Sequence, residues 1–453
     1  MRSRSDARKL LVHSYHFPPI GGSGAQRPLK MVSELTRLGY QSVVITGAGA
    51  TTDRWAPEDA TLLAELPSRL EVVRLPREGE PLRSDGLRGF SERWLGVSAP
   101  WNAWWAASSY QQALEAGGDV DLIYVWMQPY ASAEVGASLS TTLRRPWVAD
   151  LGDPWALDEM MVYPSALHRR LAVRRMRELL STASAIVMST REAVRRLLRS
   201  FPELADRPVV AIPNGFDPAD FGGPLDAGGD NKFRIVHTGY LHTALGEQHR
   251  RRRLLRRALR GSARGLDILT RSHVYLVDAI NRILASEPQL AEVLELHLAG
   301  VMSETDRAVA TRCPVTLHGY MSHADSIALM RGGDLLFLPM HNLPSGVRAS
   351  IVPGKTYEYL ASCTPILAAV PDGDARDILE EAGNAILVRP DDVDGIAAGI
   401  RTELERSHAG VPLTRPDPNV IARFEYRRLA AELADVFDLV LSSRRHSHLQ
   451  GTR

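Results

Sequence analysis

The segment Ser350-Ile351-Val352-Pro353-Gly354-Lys355-Thr356-Tyr357-Glu358-Tyr359-Leu360-Ala361 decides how this chain is read. It follows an apolar run, Leu335-Leu336-Phe337-Leu338-Pro339, of the kind a buried parallel strand shows, and that run ends at proline. Pro353-Gly354 supplies a turn, and a helix opens at Lys355 with Glu358 in its first turn. The first N–H groups of a helix attract phosphate, and the lysine adds a full positive charge. A glutamate one turn in accepts two hydroxyl hydrogen bonds, which suits a ribose. One strand–turn–helix unit thus offers grips for the diphosphate and the ribose of a nucleotide. An ordinary turn, with Glu358 serving only the helix dipole, fits the same local sequence.

The pattern around this segment is alternation of strand and helix in two halves. In the first, strands are expected at Lys9–Ser14, Ser42–Thr46, Leu70–Leu75, Asp121–Trp126, Trp147–Asp150, Ala185–Met188 and Val209–Ile212. A helix carrying Leu29, Val32, Leu35 and Leu38 at helical spacing closes at Gly39. In the second half, strands are expected at Phe233–His237, Glu295–Ala299, Val315–Leu317, Asp334–Leu338, Pro365–Ala369 and Ala385–Val388. Helices are expected around His323–Met330, Lys355–Ala361 and Val393–Glu405. Such alternation implies an α/β fold with doubly wound parallel sheets. The expected division is an N-terminal domain 1–213, a linker 214–231 and a C-terminal domain 232–422. A helix at 423–442 is a candidate to pack back on the first domain, and 443–453 reads as a flexible tail. Open sheets of this kind bind ligands beyond the carboxyl ends of their strands.

At 453 residues the chain exceeds one ordinary core and suits two domains. Its apolar content of 44% and charged content of 24% are those of a globular protein. Only Cys313 and Cys363 are present, so no disulfide framework is expected and a reducing cytoplasm is favoured. No apolar run approaches the roughly 20 residues that cross a bilayer. The apolar run after the basic start is broken by His13 and Ser14, too early for a signal peptide. A net charge of +1 argues against bulk nucleic-acid binding. It conceals eight arginines between Arg250 and Arg264 and five between Arg169 and Arg177.

Four further stretches carry chemistry. Tyr15-His16-Phe17-Pro18-Pro19-Ile20-Gly21-Gly22-Ser23-Gly24 lies between the first strand and helix, where Gly21 and Gly22 admit close approach of a phosphate or sugar. Gln26 and Arg27 follow and are candidates to point into the cleft. Asp150 and Asp153 close a strand, where a carboxylate binds sugar hydroxyls or holds an attacking hydroxyl; Asp153 equally suits capping of the next turn. Gly239 ends the first strand of the second half, and His318-Gly319-Tyr320-Met321 ends a later one where a base could pack. No Ser-His-Asp order and no metal-ligand spacing emerges, which leaves hydrolase and metalloenzyme readings without support.

Together these segments resemble the family 4 glycosyltransferases. The resemblance rests on Phe17-Pro18-Pro19-Ile20-Gly21-Gly22, Ile212-Pro213-Asn214-Gly215-Phe216-Asp217, His237-Thr238-Gly239, Phe337-Leu338-Pro339 and Pro353 to Ala361, in that order across most of the chain. It implies the GT-B fold: two Rossmann-like doubly wound parallel-sheet domains facing across a cleft. It implies a retaining, metal-independent enzyme that moves a sugar from a nucleotide diphosphate sugar to a hydroxyl of a glycan or lipid-linked acceptor, with no cofactor beyond that donor. Asp153 and Lys355 are the catalytic candidates, and Gln26, Arg27 and Asp150 lie on the acceptor side. Gly21, Gly22, Gly239, Gly319, Tyr320, Pro353, Gly354, Lys355 and Glu358 are the donor-binding candidates. The family's paired glutamates fall at Ser350 and Glu358, so the first carboxylate is replaced by a hydroxyl. That replacement keeps open a non-catalytic regulatory partner of the same fold; a nucleotide-sugar epimerase is the other alternative.

The run His249 to Arg260 interrupts the passage after Gly239. As a helix it sets Leu254, Leu255, Ala258 and Leu259 on a narrow apolar face with arginines around it, a pattern that suits an anionic membrane. Trp101, Trp104 and Trp105 fit an interfacial anchor or, more simply, a core contact. The expected location is cytoplasmic, with peripheral attachment to the inner face of the plasma membrane through Arg250–Arg264.

Overall fold

The computed structural model describes residues 8–49, 57–81, 99–223, 231–411 and 413–450. The chain divides into two compact units, Met1–Asn214 with Tyr426–Arg453, and Gly215–Glu425.

The first unit is built on strands β1 (Lys9–His13), β2 (Gln41–Thr46), β3 (Glu71–Arg74), β4 (Leu122–Trp126), β5 (Trp147–Leu151), β6 (Ala185–Met188) and β7 (Val209–Ala211). They form one parallel sheet in the order β3-β2-β1-β4-β5-β6-β7. Its helices are α1 (Ser23–Arg37), α2 (Pro100–Ala116), α3 (Ser132–Leu143), α4 (Ala166–Leu180) and α5 (Arg191–Ser200). β4 and β5 are buried along their whole length, as strands covered on both faces must be. One core cluster gathers Ile123, Val125, Trp147 and Ala149; another gathers Leu10, Val12, Tyr124 and Val148. Alternate residues of the same strands thus enter opposite layers.

The second unit uses β8 (Phe233–Thr238), β9 (Leu294–Ala299), β10 (Val315–Gly319), β11 (Leu335–Pro339), β12 (Ile366–Ala369) and β13 (Ala385–Val388), in the parallel order β10-β9-β8-β11-β12-β13. Its helices are α6 (Thr243–Arg251), α7 (Arg253–Leu259), α8 (Val274–Ser286), α9 (Glu304–Ala310), α10 (His323–Arg331), α11 (Lys355–Ser362), α12 (Asp374–Ala382), α13 (Val393–His408) and α14 (Pro418–Ala422). In both sheets the strand order reverses once, at β1/β4 and at β8/β11, and such a reversal is where open α/β sheets bind ligands.

The last helix, α15 (Tyr426–Gln450), belongs to the first unit. Its Phe437 packs edge-on to Tyr40 and Tyr124, and Asp438 accepts a hydrogen bond from the Tyr40 hydroxyl at 3.0 Å. The helix runs to Gln450, through most of the stretch read as a flexible tail from 443; residues 451–453 lie outside the described residues. Within the stretch read as linker, Pro218–Phe221 forms a short 3-10 turn capped by Asp217, whereas 224–230 lie outside the described residues.

Trp101 and Trp105 are core residues. Both lie edge-on to Tyr15, at 4.8 and 5.1 Å between ring centres, in a cluster with Ile20 and Leu75. The Trp105 indole N–H donates to Ser132 and that of Trp101 to Glu80. Side chains packed and hydrogen-bonded in this way do not anchor in a bilayer, so the simpler reading of these tryptophans holds.

Candidate active site at the strand reversal of the second unit

β8 and β11 pair only through Leu335 with Ile235 and Leu336 with Val236. Beyond that point the strands part, and the Phe337 carbonyl finds its partner in a side chain. The His237 Nδ1–H donates to it at 2.9 Å. That bond fixes the tautomer and leaves Nε2 as an acceptor, which faces the Lys355 ammonium at 3.2 Å. Burial, then the Lys355 charge, hold the His237 pKa well below its ordinary value, so the ring stays neutral.

α11 brings Lys355 to this point through helical spacing. Lys355 and Tyr359 stand one turn apart and face the end of β8 together. The Tyr359 hydroxyl accepts the Thr238 N–H at 3.0 Å. Lys355 reaches Gly239, whose φ is +103°; a Cβ there would lie 2.8 Å from the lysine nitrogen. Burial pushes the Lys355 pKa down from 10.5 to about 7, and the charge of Arg271 pushes the same way; Glu358 opposes them. Arg271 lies just before α8, where its carbonyl accepts the His242 N–H at 3.0 Å. Two cations therefore converge on one strand end, and the lysine holds its proton weakly. An anion placed there would relieve the lysine.

The sequence expected glycine and helix-start N–H groups to meet the phosphates. The structure corrects this in part. The Gly239 N–H donates to Ala299 O at 2.8 Å, so Gly239 supplies room for Lys355 and no free donor. At the start of α11 the N–H groups of Thr356 and Tyr357 donate to Pro353 and Gly354 O, so the Pro353–Gly354 turn consumes donors expected to be free. The cationic side chains carry the charge complementarity. Gly300, which the sequence reading passed over, completes the pattern. Its φ is +135°, its N–H donates to Gly319 O, and a Cβ on it would lie 2.6 Å from Gly239 O. Three neighbouring strands thus end in interlocked glycine turns at Gly239, Gly300 and Gly319. Tyr320, next to the last, is 37% exposed.

On the side of α10, His323 Nε2 lies 3.9 Å from the Glu358 carboxylate and 3.4 Å from Asp220. Ser350 is fully buried, in a loop whose neighbouring Ala349 bridges to Gly373. The hydroxyl that replaces the family's first carboxylate is therefore enclosed in packing. His318 stacks on His297 with a ring nitrogen contact of 3.0 Å.

In the first unit the candidates separate. Arg27 and Asp150 were expected to point into a cleft. They form instead a buried bidentate pair, Nε and Nη2 each donating to the carboxylate at 3.1 Å, with side-chain exposures of 1% and 0%. Arg27 also donates to Ile212 and Pro213 O, and the Tyr124 hydroxyl donates to Asp150. Burial disfavours the guanidinium charge, yet Asp150 overcomes it and the Arg27 pKa lies above its ordinary value. Every charged group there has its partner, which makes the pair structural. Gln26, on α1 beside Arg27, is half-buried. The Gly21 N–H donates to Pro57 O at 2.8 Å and is likewise occupied. Gly22, with φ +79°, precedes α1, which begins without a side-chain cap. Asp153 is half-buried beyond β5, just before the 3-10 turn Trp155–Leu157. Burial and the Asp153 charge raise the Tyr130 pKa well above its usual range, which places that carboxylate near the Tyr130 ring stacked on Trp155. Among the described residues no group of three His, Cys, Asp or Glu side chains is arranged to hold a metal ion.

Two Rossmann-like parallel sheets, the second ending in a cationic glycine-lined site, are the architecture of a GT-B glycosyltransferase. Residues 21–215 match the glycosyl transferase 4-like domain and residues 268–406 match the glycosyl transferases group 1 domain; the chain belongs to the GT4-like glycosyltransferases of GT-B fold, enzymes of glycosyl transfer from nucleotide sugars. Solved structures similar in fold include HepE from Anabaena in complex with UDP and glucose, at 17% identity over 95% of this chain and 99% of that one, with a TM-score of 0.61. Sucrose-phosphate synthase from Thermosynechococcus elongatus is similar at 16% identity over 96% and 100%, with a TM-score of 0.63. The α,α-trehalose 6-phosphate synthase from Burkholderia multivorans is similar at 14% identity over 98% and 100%, with a TM-score of 0.58. A search of curated protein sequences found no match.

Proposed function

We propose that the second unit binds a nucleotide diphosphate sugar with Lys355 and Arg271 on the diphosphate and Glu358 on the ribose hydroxyls, and that transfer proceeds with retention and without a metal ion. The observation that carries this reading is the buried Lys355, 3.2 Å from His237 Nε2 and pushed down to a pKa of about 7 by burial and the Arg271 charge, at a strand reversal of the kind where open α/β sheets bind ligands. Breaking the bond from sugar to diphosphate separates a sugar cation from an anion. Cations already fixed at the leaving group stabilise that separation without reorganising. The acceptor hydroxyl attacks the same face of the sugar, and its proton passes to a phosphate oxygen of the donor. Such a step depends on positioning more than on a side-chain base. Gly319 and Tyr320 border the base. The acceptor is a glycan or a lipid-linked sugar, consistent with work at the inner face of the plasma membrane in polysaccharide assembly.

Purified protein is screened for thermal stabilisation by UDP-, GDP-, ADP- and TDP-sugars in the presence of a chelator. Selective stabilisation by one donor supports the reading, because a ligand that binds only the folded state raises its apparent stability. Folded protein that no donor stabilises points to the non-catalytic relative, for which the buried Ser350 is the motivating observation. Calorimetry in buffers of different ionisation enthalpy adds a second measurement. Below pH 7 Lys355 already carries its proton, whereas near pH 8 the diphosphate draws in about one proton per donor bound. Uptake that does not change between pH 6 and pH 8 would remove Lys355 from the diphosphate site.

A further inference from the structure

The arginine-rich insertion divides in the structure into a tethered part and an untethered part. α6 is tethered. Arg250 forms a two-point pair with Asp267 and also reaches the Tyr275 hydroxyl, and Arg251 pairs with Glu247 at 2.8 Å. The next helix, α7, is not. Leu254 is 83% exposed and Leu255 57% exposed. Arg252, Arg253, Arg257 and Arg260 stand exposed around them, and among the described residues none of these four takes part in an ion pair. α4, the other basic helix, differs on this point. It too exposes leucines, Leu167 and Leu171, yet three of its five arginines, Arg174, Arg175 and Arg177, are matched by glutamates, Glu178, Glu134 and Glu203.

We infer that α7 docks this protein on an anionic lipid surface, with Leu254 and Leu255 entering the boundary between headgroups and acyl chains and the four arginines lying among the lipid phosphates. This deepens the membrane location proposed above and rests on that reading. Charge complementarity selects the occupant. Four unmatched guanidinium groups on two helical turns require a dense negative surface, and two leucines offer far less apolar area than a stable protein interface buries. Arginine stems can lie along the apolar boundary while their heads stay at the phosphates, so the leucines enter without drawing charge into the hydrocarbon. Among the described residues no helix is long and apolar enough to cross a membrane, and interfacial docking does not require one.

The test is co-sedimentation of the full chain with phosphatidylglycerol–phosphatidylcholine vesicles and with phosphatidylcholine alone, across rising salt. Binding to the anionic vesicles that weakens with salt is expected. Replacing Arg252, Arg253, Arg257 and Arg260 with glutamine should lower vesicle affinity on the order of 100-fold or more. The double variant Leu254→Ser with Leu255→Ser should weaken it at every salt concentration. All six side chains are exposed, so the variants are expected to keep the wild-type melting temperature and the donor-induced stabilisation. That separates failure of docking from failure of the donor site. The proposal is overturned if wild type ignores anionic vesicles, if it binds phosphatidylcholine equally well, or if both variants bind as wild type does. It is overturned as well if wild type self-associates in solution and the leucine variant does not, since a second copy would then be the occupant.

Discussion

Each unit places charged side chains at the carboxyl end of its sheet, with opposite outcomes. In the first, Arg27 and Asp150 neutralise each other, and Tyr124 and the carbonyls of Ile212 and Pro213 take up their remaining hydrogen-bonding capacity. In the second, Lys355 meets the neutral Nε2 of His237 and the charge of Arg271, and its own charge is disfavoured. A buried charge that is fully matched contributes to holding the fold together. One that is left under-matched costs stability, and proteins retain such costs mainly where a ligand offsets them. The same strand-end position therefore serves architecture in one unit, and in the other it is the site proposed for binding.

The largest effect is expected from breaking the matched pair. Asp150→Ala leaves the Arg27 guanidinium buried and uncompensated, which should lower unfolding free energy by about 3–5 kcal/mol. Urea unfolding of Asp150→Ala, Arg27→Met and the double variant measures this. The double variant should recover much of the loss, and a coupling near zero would show that the pair is not matched as described. In whatever fraction of Asp150→Ala stays folded, donor stabilisation should persist.

Breaking the under-matched site should do the opposite to stability. Lys355→Met removes a charge the fold disfavours, so the unliganded protein should gain on the order of 1–2 kcal/mol near pH 7, while donor affinity falls by about 10- to 100-fold. The sign with pH follows from the direction of the shift. The folded pKa of about 7 lies below the ordinary 10.5, so between those values the unfolded chain binds more protons and wild-type stability rises with pH. Lys355→Met should lose that rise. Equal slopes in the two proteins would mean that Lys355 titrates normally and that the comparison between the units fails.

How much of this could be read from the chain alone depends on the range of the interaction. Most strand positions were legible to within a residue or two because buried parallel strands are apolar runs between turn residues. The positions of Lys355, Glu358, Gly239 and Gly319 at strand ends and at a helix start were legible because they follow from a local strand–turn–helix order. The partners of those residues were not. Arg27 and Asp150 lie 123 positions apart, and only the sheet order brings α1 over β5. Arg271, whose charge lowers the Lys355 pKa, was hidden by the arginine-rich insertion, which separates it in sequence from the end of β8. Arg250 looked like part of a membrane surface until Asp267 and Tyr275 were seen to hold it. Gly300 had a local signal, a glycine directly after an apolar strand like those at Gly239 and Gly319, and could have been found by asking which neighbouring strands end alike.

Glu358 lies between the two extremes, and it gives the finest test of the comparison. Its carboxylate is neither sealed like Asp150 nor set in an excess of like charge like Lys355; it stands 22% exposed, 3.9 Å from His323. If it binds ribose hydroxyls, Glu358→Gln keeps the shape and one acceptor oxygen but loses the charge. Donor affinity should then fall by about tenfold, the size of one charge-assisted hydrogen bond, with little change in unliganded stability. His323→Gln should have a smaller effect of the same kind, since it touches Glu358 only at the edge of contact and also faces Asp220. Titrations of both variants with the donor found in the screen, and with the matching free nucleoside diphosphate, settle the assignment. A ribose contact weakens both ligands equally, whereas a contact to the transferred sugar weakens the nucleotide sugar alone. The second result would move Glu358 off the ribose and leave Lys355 and Arg271 as the groups that define the donor's position.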